Sequence, residues 1–126
     1  MTNPVVSASA TAARRIDEDW GSLSWLANQQ IGNAQKLTLG RVVIKKGHSN
    51  PRHCHPNCEE VLYLLNGRLE HTLGDETLVL ESGDTLAISQ GIFHSAVNIG
   101  AEDADTIVAY SSGVRQFVLE SESPTT

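Results

Sequence analysis

Short runs of branched and apolar residues, cut at near-regular intervals by glycine, asparagine and aspartate, restrict this chain to an all-β fold. The runs are 36–44, 60–65, 68–72, 77–80, 85–88, 94–98, 106–110 and 114–119. Each has strand length and strand composition. Asn66-Gly67 reads as a hairpin turn from which 68–72 returns antiparallel; Gly74-Asp75 and Ser82-Gly83-Asp84 mark the next turns. Many short strands with such punctuation close into a sandwich or barrel, and their order fits a double-sheet jelly roll closed into a small barrel. A helix is expected only near Ile16 to Asn28, where Gly21 and Ser22 interrupt it.

Strand alternation sorts the side chains by face. If Glu60 points inward, so do Leu62 and Leu64, and Val61, Tyr63 and Leu65 form an apolar outer face. If His94 points inward, so do Ala96 and Asn98, and the small Ala96 leaves room for a ligand. The outer face needs cover, from Trp20 and Trp25 with Leu23 and Leu26, or from a second copy. A homodimer is the expectation.

His53, His55 and Glu60, with His94 further along, have the makings of a metal site. Two histidines one residue apart on a strand point the same way, and a turn can bring a carboxylate to the same place. Three neutral imidazoles and one carboxylate make a mixed nitrogen and oxygen set. That set suits a divalent transition metal (Fe, Mn, Ni, Co, Cu or Zn) better than Ca or Mg. Cys54, between the two histidines, should face away.

These residues carry a resemblance. Gly47, His53, His55, Glu60 and Gly67 match the spacing of the first motif of the cupins, small metal-binding β-barrels of the double-stranded β-helix type. Gly83, Gly91, His94 and Asn98 match the second motif, with Ser89 where that family usually has proline. The resemblance implies a cupin jelly roll with His53, His55, Glu60 and His94 as metal ligands, and likeness to small cupins also implies a homodimer. Asn98 is better read as fixing a turn than as a ligand.

The 126 residues suit one domain, expected over 16–120 with flexible tails at 1–15 and 121–126. Net charge is −6 and no Lys/Arg cluster exists to neutralise phosphates, which argues against nucleic acid. No stretch is apolar for long enough to cross a bilayer as a helix, and no secretion signal is evident, so a cytoplasmic protein binding a small molecule is expected. Cys54 and Cys58 are the two cysteines and are read as reduced thiols.

Four protein ligands on a six-coordinate ion leave two positions for a chelating diketone, enediol, hydroxy acid or sugar derivative. A dioxygenase is the first expectation, a metal-dependent isomerase or lyase the second, and a non-catalytic binding or sensor protein the third. His71, on the strand face of Leu69 and Leu73, is the candidate base. Arg41, Arg52 and Tyr63 are candidates to orient an anionic substrate, and His48 and Asn50 to shape the mouth.

Overall fold

The computed structural model describes residues 4–122. A short helix, α1 (Ala8–Ala13), is followed by eleven strands: β1 (Ile16–Glu18), β2 (Gly21–Ala27), β3 (Thr38–Ile44), β4 (His53–Cys54), β5 (Glu60–Asn66), β6 (Arg68–Leu73), β7 (Glu76–Glu81), β8 (Thr85–Ile88), β9 (His94–Asn98), β10 (Ala104–Tyr110) and β11 (Val118–Leu119). One sheet has the order β1-β2-β3-β10-β5-β8 and the other β11-β4-β9-β6-β7, antiparallel throughout. This is the expected jelly roll.

Three expectations are corrected. The segment 16–28 is not helical: Gly21 begins β2 at a point where any Cβ would run into the Val43 carbonyl, so strand pairing rather than helix breaking explains that glycine. Asn66-Gly67 does not close a hairpin. β5 and β6 belong to different sheets, and Gly67 (φ +121°) turns the chain between them where a Cβ would approach the Ala104 Cα at 2.9 Å. The hairpin lies one turn later, at Gly74-Asp75 between β6 and β7, with Leu73 facing Glu76. Third, of 114–119 only Val118–Leu119 pair as a strand.

The ends also have local structure. Within the stretch read as an N-terminal tail, α1 starts at Ser7, whose hydroxyl accepts from the Ala10 N–H at 3.1 Å. Residues Glu120–Glu122 form a 3-10 turn, and the remainder of both tails, 1–3 and 123–126, lies outside the described residues.

Alternation places the inner side chains as expected. On β5, Glu60, Leu62 and Leu64 are buried while Val61, Tyr63 and Leu65 are exposed. The barrel has two chemically different ends. Ile44, Leu64, Leu69, Leu80 and Ala104 pack the closed end, and Asn98 secures it by donating to the carbonyls of Ile44 and Glu102, both at 2.8 Å. Buried histidines and Glu60 occupy the other end. Trp20, Leu23 and Trp25 pack inward against the core rather than over the face of Val61 and Tyr63. Trp25 lies beside Gly40, where a Cβ would come within 2.7 Å of its ring. The outer face of β3, β10 and β5 therefore stays open, with Leu39, Val61, Tyr63 and Leu65 exposed.

Candidate metal centre

His53 lies on β4, His55 follows that strand, Glu60 opens β5 and His94 opens β9, directly opposite His53 in the sheet. The turn before His94 depends on Gly91 (φ +80°), whose N–H donates to the His55 carbonyl at 3.0 Å. Ser89 serves this turn without proline, accepting from the Ile92 N–H through its carbonyl at 3.3 Å. All four side chains are buried, between 2% and 7% exposed.

Each imidazole is oriented from behind. His53 Nδ1 donates to the Pro51 carbonyl at 2.7 Å, His55 Nδ1 to Gln116 at 2.8 Å, and His94 Nδ1 to Ile92 at 2.9 Å. A carbonyl only accepts, so the proton sits on Nδ1 and the lone pair on Nε2. The candidate ligand atoms of His53, His55 and His94 all lie within 4.8 Å of one another. Glu60 Oε1 is 3.2 Å from Nε2 of both His55 and His94.

That convergence is the test of whether a metal fits. With the rings neutral, lone pairs face lone pairs, and His55 Nε2, His94 Nε2 and Glu60 Oε1 are buried without a hydrogen-bond partner. Such a cluster needs a cation at its centre. Donors about 2.0–2.2 Å from a shared ion stand roughly 3.0–3.4 Å apart, as the two Glu60 contacts do. Imidazoles whose other nitrogen is tied to a carbonyl are the usual form of histidine ligands.

The surrounding groups hold the site in this charge state. Burial pushes the His53 imidazolium down to about 3, with repulsion from His94 adding to it. Burial also lowers His71 to about 4. Burial alone would raise the Glu60 carboxyl, but positive charge at its contacts with His55 and His94 outweighs it and lowers the group to about 2. Tyr110, edge-on to His55 at 4.9 Å, is kept protonated by burial and by the Glu60 charge. Cys54 and Cys58 are buried free thiols, raised by burial, and neither belongs to the histidine cluster.

The cluster forms one wall of a cavity of about 360 Å³ that includes Val42, Leu62, Ala96, Thr106 and Val108. His71 lines it too, stacked on His94 at 5.8 Å. Asn50 lines the cavity and accepts from the Ala96 N–H at 2.8 Å. His48 is exposed and outside the lining. Two candidate anion-binding arginines are engaged elsewhere: Arg41 with Asp105 on the outer face at 2.7 Å, and Arg52 with Glu120 at 3.0 Å and the Gly74 carbonyl at 2.9 Å. Tyr63 lies on the outer face. In their place the structure brings Arg115, Phe117, Tyr110 and Trp20 to the cavity.

The comparisons agree with this architecture. The family model described as "Cupin domain" matches residues 40–110. The chain belongs to the cupin family. This cupin is 32% identical to germin-like protein 3-8 of Oryza sativa subsp. japonica, over 64% of its own length and 38% of the relative's. It is 35% identical to polyketide synthase CurC of Streptomyces cyaneus, over 67% and 54% respectively. It spans about half or less of those two relatives. Its fold superimposes on the formate complex of Lactobacillus farciminis oxalate decarboxylase with a TM-score of 0.81 at 20% identity, over 88% of this chain and 36% of that one.

Two expected outcomes follow from the site. His94→Ala, measured by elemental analysis, should lose most of the bound divalent metal, whereas Cys54→Ser should retain it; full occupancy in the first variant would contradict the assignment. The second concerns pH. His53 and His71 have folded values below the ordinary 6.5, so the unfolded chain binds more protons in acid. Their contribution is complete above pH 6.5 and is lost as pH falls toward 4 and 3. Urea unfolding of metal-free protein should show stability falling by up to about 2.7 kcal/mol per pH unit near pH 5, about 1.4 for each histidine. A flat profile between pH 6.5 and 4.5 would contradict it.

Proposed function

We propose that this cupin is a metal-dependent enzyme acting on a small oxygenated metabolite: a diketone, enediol, hydroxy acid or sugar derivative. Oxidation by dioxygen is the leading reaction. The observation that carries the reading is the convergence of partnerless Nε2 and Oε1 lone pairs on the wall of an accessible cavity. His53, His55, His94 and Glu60 would hold the ion, which when bound supplies Lewis acidity and, if redox-active, access to dioxygen chemistry.

The chain's own residues do the rest. Val42, Leu62 and Val108 exclude water, and Ala96 leaves the volume for a substrate. His71 donates from Nδ1 to the Thr72 carbonyl at 2.9 Å, which leaves its Nε2 as an acceptor beside His94. With a value near 4 it is a weak base, suited to accepting a hydrogen bond from a substrate hydroxyl. The isomerase or lyase alternative draws on the same residue, because it needs a group to carry a proton between two substrate atoms. A polar group at this position favours an enzyme over a sensor. The oxalate decarboxylase that shares the fold acts on a small oxygenated acid, which supports the substrate class.

The test is an oxygen-uptake screen of protein reloaded with iron or manganese, against diketones, enediols and hydroxy acids. Uptake with at least one class, lowered about tenfold or more in His71→Phe at unchanged metal content, is expected. Turnover without uptake would favour isomerisation or elimination, and neither uptake nor turnover would contradict the enzyme.

Self-association is the second part of the proposal. The open apolar face of Leu39, Val61, Tyr63 and Leu65 supports a homodimer in which a second copy covers it. Light scattering should return twice the chain mass, and Tyr63→Glu should return the monomer. A monomeric wild type would contradict this part.

A further inference from the structure

Arg115 is a permanent cation without an anionic partner among the described residues. Arg15, Arg41, Arg52 and Arg68 each meet a carboxylate at 2.7–3.0 Å. The Arg115 guanidinium makes no hydrogen bond or ion pair with any described residue. It is held by ring faces instead: 4.4 Å from the Trp25 centroid, 5.2 Å from Tyr110 and 5.5 Å from Phe117. Packing of this kind occupies the guanidinium face and leaves its edge N–H donors free.

Its placement is built rather than incidental. The Asn57 side chain donates to the Val114 carbonyl at 2.8 Å and accepts from the Gln116 N–H at 2.9 Å, clamping the residues on either side of Arg115. The Gln116 carbonyl is the one that orients His55. Tyr110 and Phe117, which flank the guanidinium, also pack on His55 at 4.9 Å and His53 at 4.6 Å. One aromatic ring thus stands between the guanidinium and the imidazoles, with Tyr110 5.2 Å from Arg115 and 4.9 Å from His55, and Phe117 5.5 Å from Arg115 and 4.6 Å from His53. Guanidinium and imidazoles line the same cavity, and among its described lining residues Arg115 is the one fixed cation; Glu18, a carboxylate in that lining, makes no ion pair with it.

We propose that Arg115 binds a carboxylate on the far end of the ligand, so that the cavity takes an oxygenated acid whose chelating oxygens and carboxylate are joined by a short aliphatic spacer. The planar fork of N–H donors matches a carboxylate in two-point contact. The proposal rests on the metal-site reading, since the chelating end is oriented by the histidine cluster.

The experiment uses succinylacetone, a β-diketone with a carboxylate two methylenes away, and its methyl ester. Both are titrated calorimetrically into full-length protein whose metal content has been measured. In the wild type the acid should bind about tenfold or more tightly than the ester, the scale of a charge-assisted contact. Arg115→Gln should bring the two together while leaving ester affinity within about twofold, and Arg115→Lys should restore part of the preference. Equal binding of acid and ester by the wild type would overturn the proposal, as would a preference that persists in Arg115→Gln. Loss of ester and acid binding alike in that variant would also overturn it, because Arg115 would then merely hold the cavity wall. A protein that takes up no metal would fail the metal reading instead. In that case the acid-over-ester preference is read in metal-free protein, where it is expected to be smaller, and its absence overturns the proposal.

Discussion

Everything at the open end of this barrel depends on one electrostatic conflict. Three imidazoles donate their Nδ1 protons to backbone carbonyls, and two of them, His55 and His94, turn their Nε2 lone pairs onto a buried carboxylate at 3.2 Å. Acceptor facing acceptor in a water-poor interior is costly unless a cation lies between them. The carbonyls belong to Pro51, Gln116 and Ile92, so the loop before β4, the C-terminal segment and the loop before β9 are all engaged in aiming the rings. A divalent ion held there would resolve the conflict and tie these three segments together.

The rest of the fold keeps that cluster dry and open on one side. Ile44 and three leucines fill the opposite end, and Asn98 pins the turn there through its amide. Between the two ends Ala96, Thr106 and Val108 are small enough to leave a cavity. Beyond the rings of Tyr110 and Phe117, Arg115 sets a positive charge at a fixed distance from the imidazoles. Histidine cluster and guanidinium line one cavity, which a bifunctional acid would span.

Much of this was legible in the sequence because it is written in local periods. Alternation put Glu60, Leu62 and Leu64 inside and Tyr63 outside, and the two motifs put His53, His55, Glu60 and His94 in register. What was not legible depends on which sheet a strand joins. Asn66-Gly67 signals a turn, but the local signal is the same whether the next strand pairs back or crosses to the other sheet, as it does here. The same blindness sent Trp20 and Trp25 to the outer face, though the pairing of β2 with β3 turns Trp25 inward and both rings pack against the core. Arg115 escaped notice because it lies in an irregular segment whose position is set by His55 and Asn57, about sixty residues earlier in the chain. The alternation of Arg115 and Phe117 was the available signal, and it points to one face without saying which.

X-ray absorption spectroscopy of the protein loaded with one equivalent of manganese or iron tests the central claim most directly. The account predicts a shell of nitrogen and oxygen donors at about 2.0–2.2 Å, with the outer-shell scattering of three imidazoles and no sulfur. A sulfur contribution, or a shell of oxygen alone without imidazole scattering, would contradict it.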